Sequence, residues 1–257
     1  MIPVQKSLLG NTENIVIFLV HLIYKKLYLF LKKKNKNYNL FNDCSTLVRA
    51  PELPAEIIAN HSYDSMFCGC TNLLETPELF SKHLGSSCYK YMFCDCENIS
   101  TPPQLPALEL KESCYEGMFC NCYALTQMPE LPATELNENC YEGMFAGCTS
   151  LTVAPALPAT TLASSCYYGM FYGCTSLTVA PELPATKLVK YCYEYMFYDC
   201  TSLNNITMLA IDINDSSCLD NWVSGVASSG TFIKHPNMTS LPSGVNGIPN
   251  GWTVVNK

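Results

Sequence analysis

The sequence predicts a right-handed solenoid: one domain of stacked 26-residue coils, with short parallel β-strands on one face and short helices or turns opposite. Three observations predict it. Cys44, Cys70, Cys96, Cys122, Cys148, Cys174 and Cys200 are each 26 residues apart. A second cysteine series, Cys88, Cys114, Cys140, Cys166, Cys192 and Cys218, keeps the same step, with Ser62 in the earlier place. Tyr63 to Tyr193, Met66 to Met196 and Phe67 to Phe197 form further columns in the same register. Self-similarity at a fixed period of this size is the signature of a stacked repeat.

Each unit has two parts. From Cys148 one unit reads CTSLTVAPALPATTLASSCYYGMFYG, and the next reads CTSLTVAPELPATKLVKYCYEYMFYD. Leu151, Val153, Leu157 and Leu162 accompany Pro155 and Pro158, and proline excludes a helix interior there. This part reads as one or two very short extended pieces around a proline corner. The second part places Cys166, Met170, Phe171 and Cys174 at spacings of four and eight, which suit a helix of about two turns capped by Ser164 or Ser165. So small a unit cannot bury its own apolar side, and stacking lets each coil cover the last. At about 4.8 Å per coil, six coils make a rod section of roughly 29 Å.

Charge divides the 257-residue chain into three. Residues 1–43 carry a net +5, residues 44–215 a net −13 and the remainder +1, for −7 in total. The expected organisation follows: an atypical apolar and basic segment at 1–43, a solenoid of six full repeats and a partial seventh at 44–217, and a cap with an irregular tail at 218–257. Arginine occurs once, as Arg49, so a basic nucleic-acid interface is excluded. The apolar, Tyr and Cys content excludes a charged disordered chain. No uncharged apolar stretch reaches 18 residues, which argues against a conventional membrane span.

The strings CTSLTVAPELPAT and CYEYMFYDCTSL resemble the BspA-type leucine-rich repeats of bacterial surface proteins. The F-x-x-C-x-x-L element of that family is matched by Phe171, Cys174 and Leu177, and by Phe197, Cys200 and Leu203. The resemblance covers about 41–218. The tail segments NWVSGVASSGTF and GIPNGWTV also resemble the end of some of these proteins. The unit is 26 residues where the commoner one is nearer 23, and the extra residues lie around the proline corner. The resemblance implies a leucine-rich-repeat solenoid linked with cell-surface attachment and protein binding. A repeat scaffold does not by itself specify a function.

Sixteen cysteines admit three readings. Strict periodicity favours buried free thiols acting as small hydrophobes. Disulfides across or between coils are the second, and a chain outside the cell permits them. Metal is the third, through the C-x-C pairs Cys68/Cys70, Cys94/Cys96 and Cys120/Cys122. The first member becomes Ala146, Tyr172 and Tyr198 in later units, which marks a rim position. If Cys68, Cys94 and Cys120 are exposed, they are the thiols most open to oxidation. No metal or cofactor is expected.

No nucleophile elbow, zincin, Walker or dinucleotide fingerprint is present. His61 or His83 with Ser62 or Cys88 offers a Cys–His or Ser–His pair by arithmetic alone, and these read better as solvent-facing substitutions. Glu52, Glu78, Glu130 and Glu182 form a column that reads as a solvated acidic face, with Ca²⁺ as the weaker alternative. Tyrosine is more informative. Tyr91, Tyr123, Tyr168, Tyr172, Tyr191, Tyr195 and Tyr198 lie outside the regular Tyr column and enrich the later coils. Tyrosine gives large contact area with a polar handle. The candidate binding stripe is Tyr168, Tyr172, Tyr191, Tyr195 and Tyr198, set against the plainer reading of rings that cover neighbouring coils.

Ile15–Tyr24 has the length of a signal-peptide core, followed by Lys25 and Lys26 and a basic cluster at 32–36, without a cleavage motif. Membrane contact by 15–36, an uncleaved targeting segment and a non-native start are the readings. At the other end, Asp220–Val223 is expected to begin a cap, Thr231–Ile233 to form a short strand, and the rest to be mostly irregular around Trp252. The functional expectation is a non-enzymatic protein that binds a protein or glycan at a bacterial cell surface or in secreted form. A structural segment of a larger surface, appendage or phage tail protein is the alternative, and a hydrolase a minor one. Location in the cytoplasm follows if the N-terminal segment is not a signal.

Overall fold

A computed structural model describes residues 38–53 and 55–257. The expectations for the N-terminal apolar and basic segment, including membrane contact by 15–36, lie outside the described residues except at its end, 38–43.

The second part of each unit is not a helix. Among the described residues no helix forms, and none is therefore long and apolar enough to cross a membrane. Instead the segment is a chain of tandem tight turns with a left-handed residue every fourth position. In one coil these are Asn139, Gly143 and Gly147, at φ of 55°, 57° and 75°. Backbone donors alternate between two destinations. The amides of Met144, Ala146 and Cys148 close turns onto Tyr141, Gly143 and Phe145. The amides of Tyr141, Gly143, Phe145 and Gly147 donate to Cys166, Tyr168, Met170 and Tyr172 of the next coil. An α-helix would spend all these donors internally and leave nothing to bind coil to coil. The four-residue turn period still sends Cys140, Met144, Cys148, Tyr141 and Phe145 inward, which is why it resembles a helix over so short a span.

The opposite part of the coil is held by single parallel bridges at its corners. Arg49 pairs with Glu75, Leu53 with Leu79 and Ile57 with His83, and Val153, Val179 and Asn205 continue one corner. Prolines between the corners remove donors, so the bridges do not lengthen into strands. Among the described residues regular strands form only at the C-terminal end: β1 (Asn205–Met208), β2 (Thr231–Lys234) and β3 (Thr253–Asn256), all parallel, in the order β1-β2-β3. The tail is thus more regular than its Pro and Gly content suggests. Thr231 and Thr253 pair in register, so the stack continues through residues expected to be irregular.

The core is a set of ladders. Phe41, Phe67, Phe93, Phe119, Phe145, Phe171 and Phe197 stack with ring centroids 5.5–5.9 Å apart. Tyr63 through Tyr193 form a parallel ladder at 5.7–6.1 Å. The Met column and the Leu73 to Leu203 column are fully buried. In the seventh coil Trp222 takes the Met position and Val223 the Phe position, so Asp220–Val223 continues the tandem turns. Trp222 closes the ladder against Phe197 and Phe232, and its indole N–H donates to the Gly247 carbonyl at 2.9 Å. Trp252 donates to Ala227 at 2.8 Å.

Both cysteine columns are largely core. From Cys70 to Cys200 each thiol of the first column donates to the carbonyl of a Phe in the preceding coil, at 3.0–3.1 Å. The second column, Cys88 to Cys218, is buried and free. The C-x-C rim column behaves differently: Cys94 and Cys120 form a disulfide between neighbouring coils, and Cys68 stays free and half-buried.

Candidate functional site: the tyrosine face

The outer side of the tandem-turn segment carries three columns. One runs Lys90, Glu116, Glu142, Tyr168 and Glu194. The next runs Tyr91, Gly117, Gly143, Gly169 and Tyr195. The third runs Cys94, Cys120, Ala146, Tyr172 and Tyr198. The middle column is left-handed throughout, with φ between 50° and 58°. Glycine adopts this backbone freely, whereas a residue with a Cβ is disfavoured there by about 1–2 kcal/mol. Three coils use glycine, and the flanking ones use Tyr91 and Tyr195.

These columns bring four of the five candidate tyrosines together. Tyr172 and Tyr198 stack face to face at 4.9 Å and 4°. Tyr195 sits edge-on to Tyr198 and to Tyr168, at 5.7 Å in each case. Tyr191 makes no ring contact with this group. It lies in the turn column of Asn139 and Ser165, with the Lys190 ammonium 4.5 Å from its ring centre. Tyr123 is exposed and stands apart on the turn after Cys122.

Upstream of this cluster lies a trench of about 230 Å³ lined by Tyr91, Gly117, Cys120, Glu142, Gly143, Ala146, Tyr168, Gly169 and Tyr172. Its depth comes from missing side chains. The Tyr91 ring lies across Gly117, where a Cβ would come within 2.2 Å of it. Over Gly143 and Gly169 the space is open, the nearest atoms to an added Cβ being 4.0 and 3.9 Å away. Cys120, one half of the disulfide, also lines it.

The electrostatics are uneven along the first column. Lys90 is paired with buried Glu116 at 2.8 Å, and the Tyr91 hydroxyl donates to the same carboxylate at 2.9 Å. Burial raises the Tyr91 hydroxyl pKa above its usual range, and the Glu116 charge adds to this. Glu142 has no ion pair or hydrogen bond to its carboxylate among the described residues. Burial, then repulsion from Glu116, pushes its carboxyl up to about 7, with Lys90 opposing. Burial and Asp220 raise Glu194 in the same direction.

The remaining candidates fall elsewhere. His61 and His83 are exposed, while Cys88 is fully buried and its thiol is pushed up to about 12 by burial. A protonated, inaccessible thiol is no nucleophile. Glu52, Glu78, Glu130 and Glu182 are all exposed. Where Ala156 interrupts that column, a groove of about 360 Å³ opens between Pro129, Pro132, Pro155 and Pro158. Among the described residues Cys68, Cys94 and Asp95 lie close enough to share a metal ion, but Cys94 is committed to the disulfide. Sequence reasoning found the tyrosines and missed the trench. Its signal was present in the columns, as glycine in the place that Tyr91 and Tyr195 occupy.

Stacked coils, parallel bridges and side-chain ladders define a leucine-rich-repeat solenoid. Residues 112–224 match the family model of the BspA type leucine-rich repeat region, in six copies. The chain is also similar to a leucine-rich repeat protein of known crystal structure from Bacteroides ovatus ATCC 8483, at 15% identity and a TM-score of 0.30, over 85% of this chain and 77% of that one. No curated protein matches the sequence.

Proposed function

We propose that this is a non-catalytic binding protein that recognises a protein or glycan through its tyrosine face, at a bacterial cell surface or in secreted form. One observation carries the reading. Tyr195, and Tyr91 at the far end of the trench, hold left-handed backbone that the coils between them assign to glycine. The left-handed turn position recurs in every coil; what is particular here is that aromatic rings stand at it, Tyr195 beside the Tyr172–Tyr198 stack, which gives large contact area with a polar handle. The Cys94–Cys120 disulfide supports an oxidising location. The match of residues 112–224 to the BspA type repeat model adds to the surface reading without naming a ligand.

The test is a screen of immobilised glycans and extracellular proteins, followed by a variant in which Tyr168, Tyr172, Tyr195 and Tyr198 are replaced by serine. The expected result is loss of the captured partner with the fold retained. Full binding by the folded variant would overturn the tyrosine face as the site. In that event the uninterrupted ladder from Phe41 to Phe197 favours a rod-like spacer in a larger surface or appendage assembly.

A further inference from the structure

We propose that the trench over Gly143 and Gly169 receives the cationic side chain of a partner protein, a lysine whose aliphatic stem lies on the glycine floor and whose ammonium meets Glu142. The inference rests on the binding reading above and specifies the chemistry of the partner. Four features fit a side chain that is apolar along its length and charged at its tip. Gly143 and Gly169 offer only backbone there, with the Ala146 methyl beside Gly143, so a stem loses water without losing hydrogen bonds. Tyr91, Tyr168 and Tyr172 line it, and the face of a tyrosine ring attracts a cation.

The third feature is the carboxylate itself. Glu116 is satisfied by Lys90 and Tyr91, so the one cation on this column is already engaged. Glu142 is half-buried, one coil further along, and lacks a counterion. An ammonium there would relieve both its desolvation and its repulsion from Glu116. The fourth is the long-range field: residues 44–215 carry a net −13, which draws cationic partners toward the rod and repels acidic ones. A neutral sugar would gain nothing from that field.

The blocked peptide acetyl-Gly-Lys-Gly-amide, titrated into the full-length protein at pH 8 and low salt, tests this by NMR. The expected result is saturable shifts at the Gly143 and Gly169 amides. The norleucine peptide, which keeps the stem and lacks the charge, should bind about tenfold more weakly. Glu142→Gln should weaken the lysine peptide by a similar factor. Ala146→Tyr, a residue that Tyr172 and Tyr198 show the column to accept, should fill the trench and abolish binding. Absence of saturable binding, or equal affinity for lysine and norleucine peptides, overturns the proposal on the wild-type protein alone. Binding of cellobiose at the same amides, unaffected by Glu142→Gln and stronger than the lysine peptide, overturns it in favour of a glycan. If the four-tyrosine variant loses a captured partner and Glu142→Gln does not, the binding reading stands and the lysine inference falls.

Discussion

The Cys148 thiol donates to the Phe119 carbonyl of the preceding coil at 3.1 Å, and that oxygen also accepts the amide of Cys122. One carbonyl thus joins two coils through a side chain and closes a turn within its own. Cys148→Ala removes the thiol donor and leaves a small cavity, but the carbonyl keeps its amide partner. The expected cost is about 1–2 kcal/mol, measured by urea unfolding.

The rim disulfide has a third sulfur next to it. Cys68 and Cys94 offer ligand atoms within 4.8 Å of each other. Cys120→Ser should therefore redirect pairing to Cys68–Cys94 when the variant is produced under oxidising conditions. Mass spectrometry of unreduced peptides reads the result, and a free Cys68 in that variant would contradict it. In the wild type, the Cys94–Cys120 link closes a 26-residue separation, and its reduction should cost roughly 3 kcal/mol.

Gly143 has open space above it and a φ of 57°. Gly143→Ala should therefore destabilise by about 1 kcal/mol through backbone strain, with no clash to blame. Ala146→Tyr should leave thermal stability within about 0.5 kcal/mol of wild type. Thermal unfolding of the two variants side by side checks the contrast.

Glu142 gives stability a pH dependence. Its folded carboxyl is pushed up to about 7, so the unfolded chain loses this proton first as pH rises. The neutral carboxyl's contribution is fully present below the unfolded value and is lost as pH rises through the folded one. Between about pH 4.5 and 7 stability should fall, by roughly 1 kcal/mol after allowance for partial exposure. Glu142→Gln should flatten that part of the profile in denaturant melts across pH.

The C-terminal end depends on Trp222, which is fully buried between Phe197 and Phe232. Trp222→Ala should cost about 3–5 kcal/mol. Amide exchange should then accelerate first in β2 and β3, which sit beyond it.

The sequence by itself determined the repeat and its inward-facing columns. A residue type that recurs every 26 positions must meet the same surroundings in each coil, so Cys, Tyr, Met, Phe and Leu columns could be assigned to the core from spacing alone. It also exposed the irregular tyrosines, because they break columns. Only the tertiary structure decided the rest. Cys166, Met170 and Cys174 are spaced alike in a two-turn helix and in tandem four-residue turns. What separates the two is whether Gly169 and Phe171 donate within the coil or to Glu194 and Met196 of the next. The Cys94–Cys120 pairing and the trench have the same origin. Both depend on what lies beside a residue in the neighbouring coil, and that relation exists only once the coils are stacked.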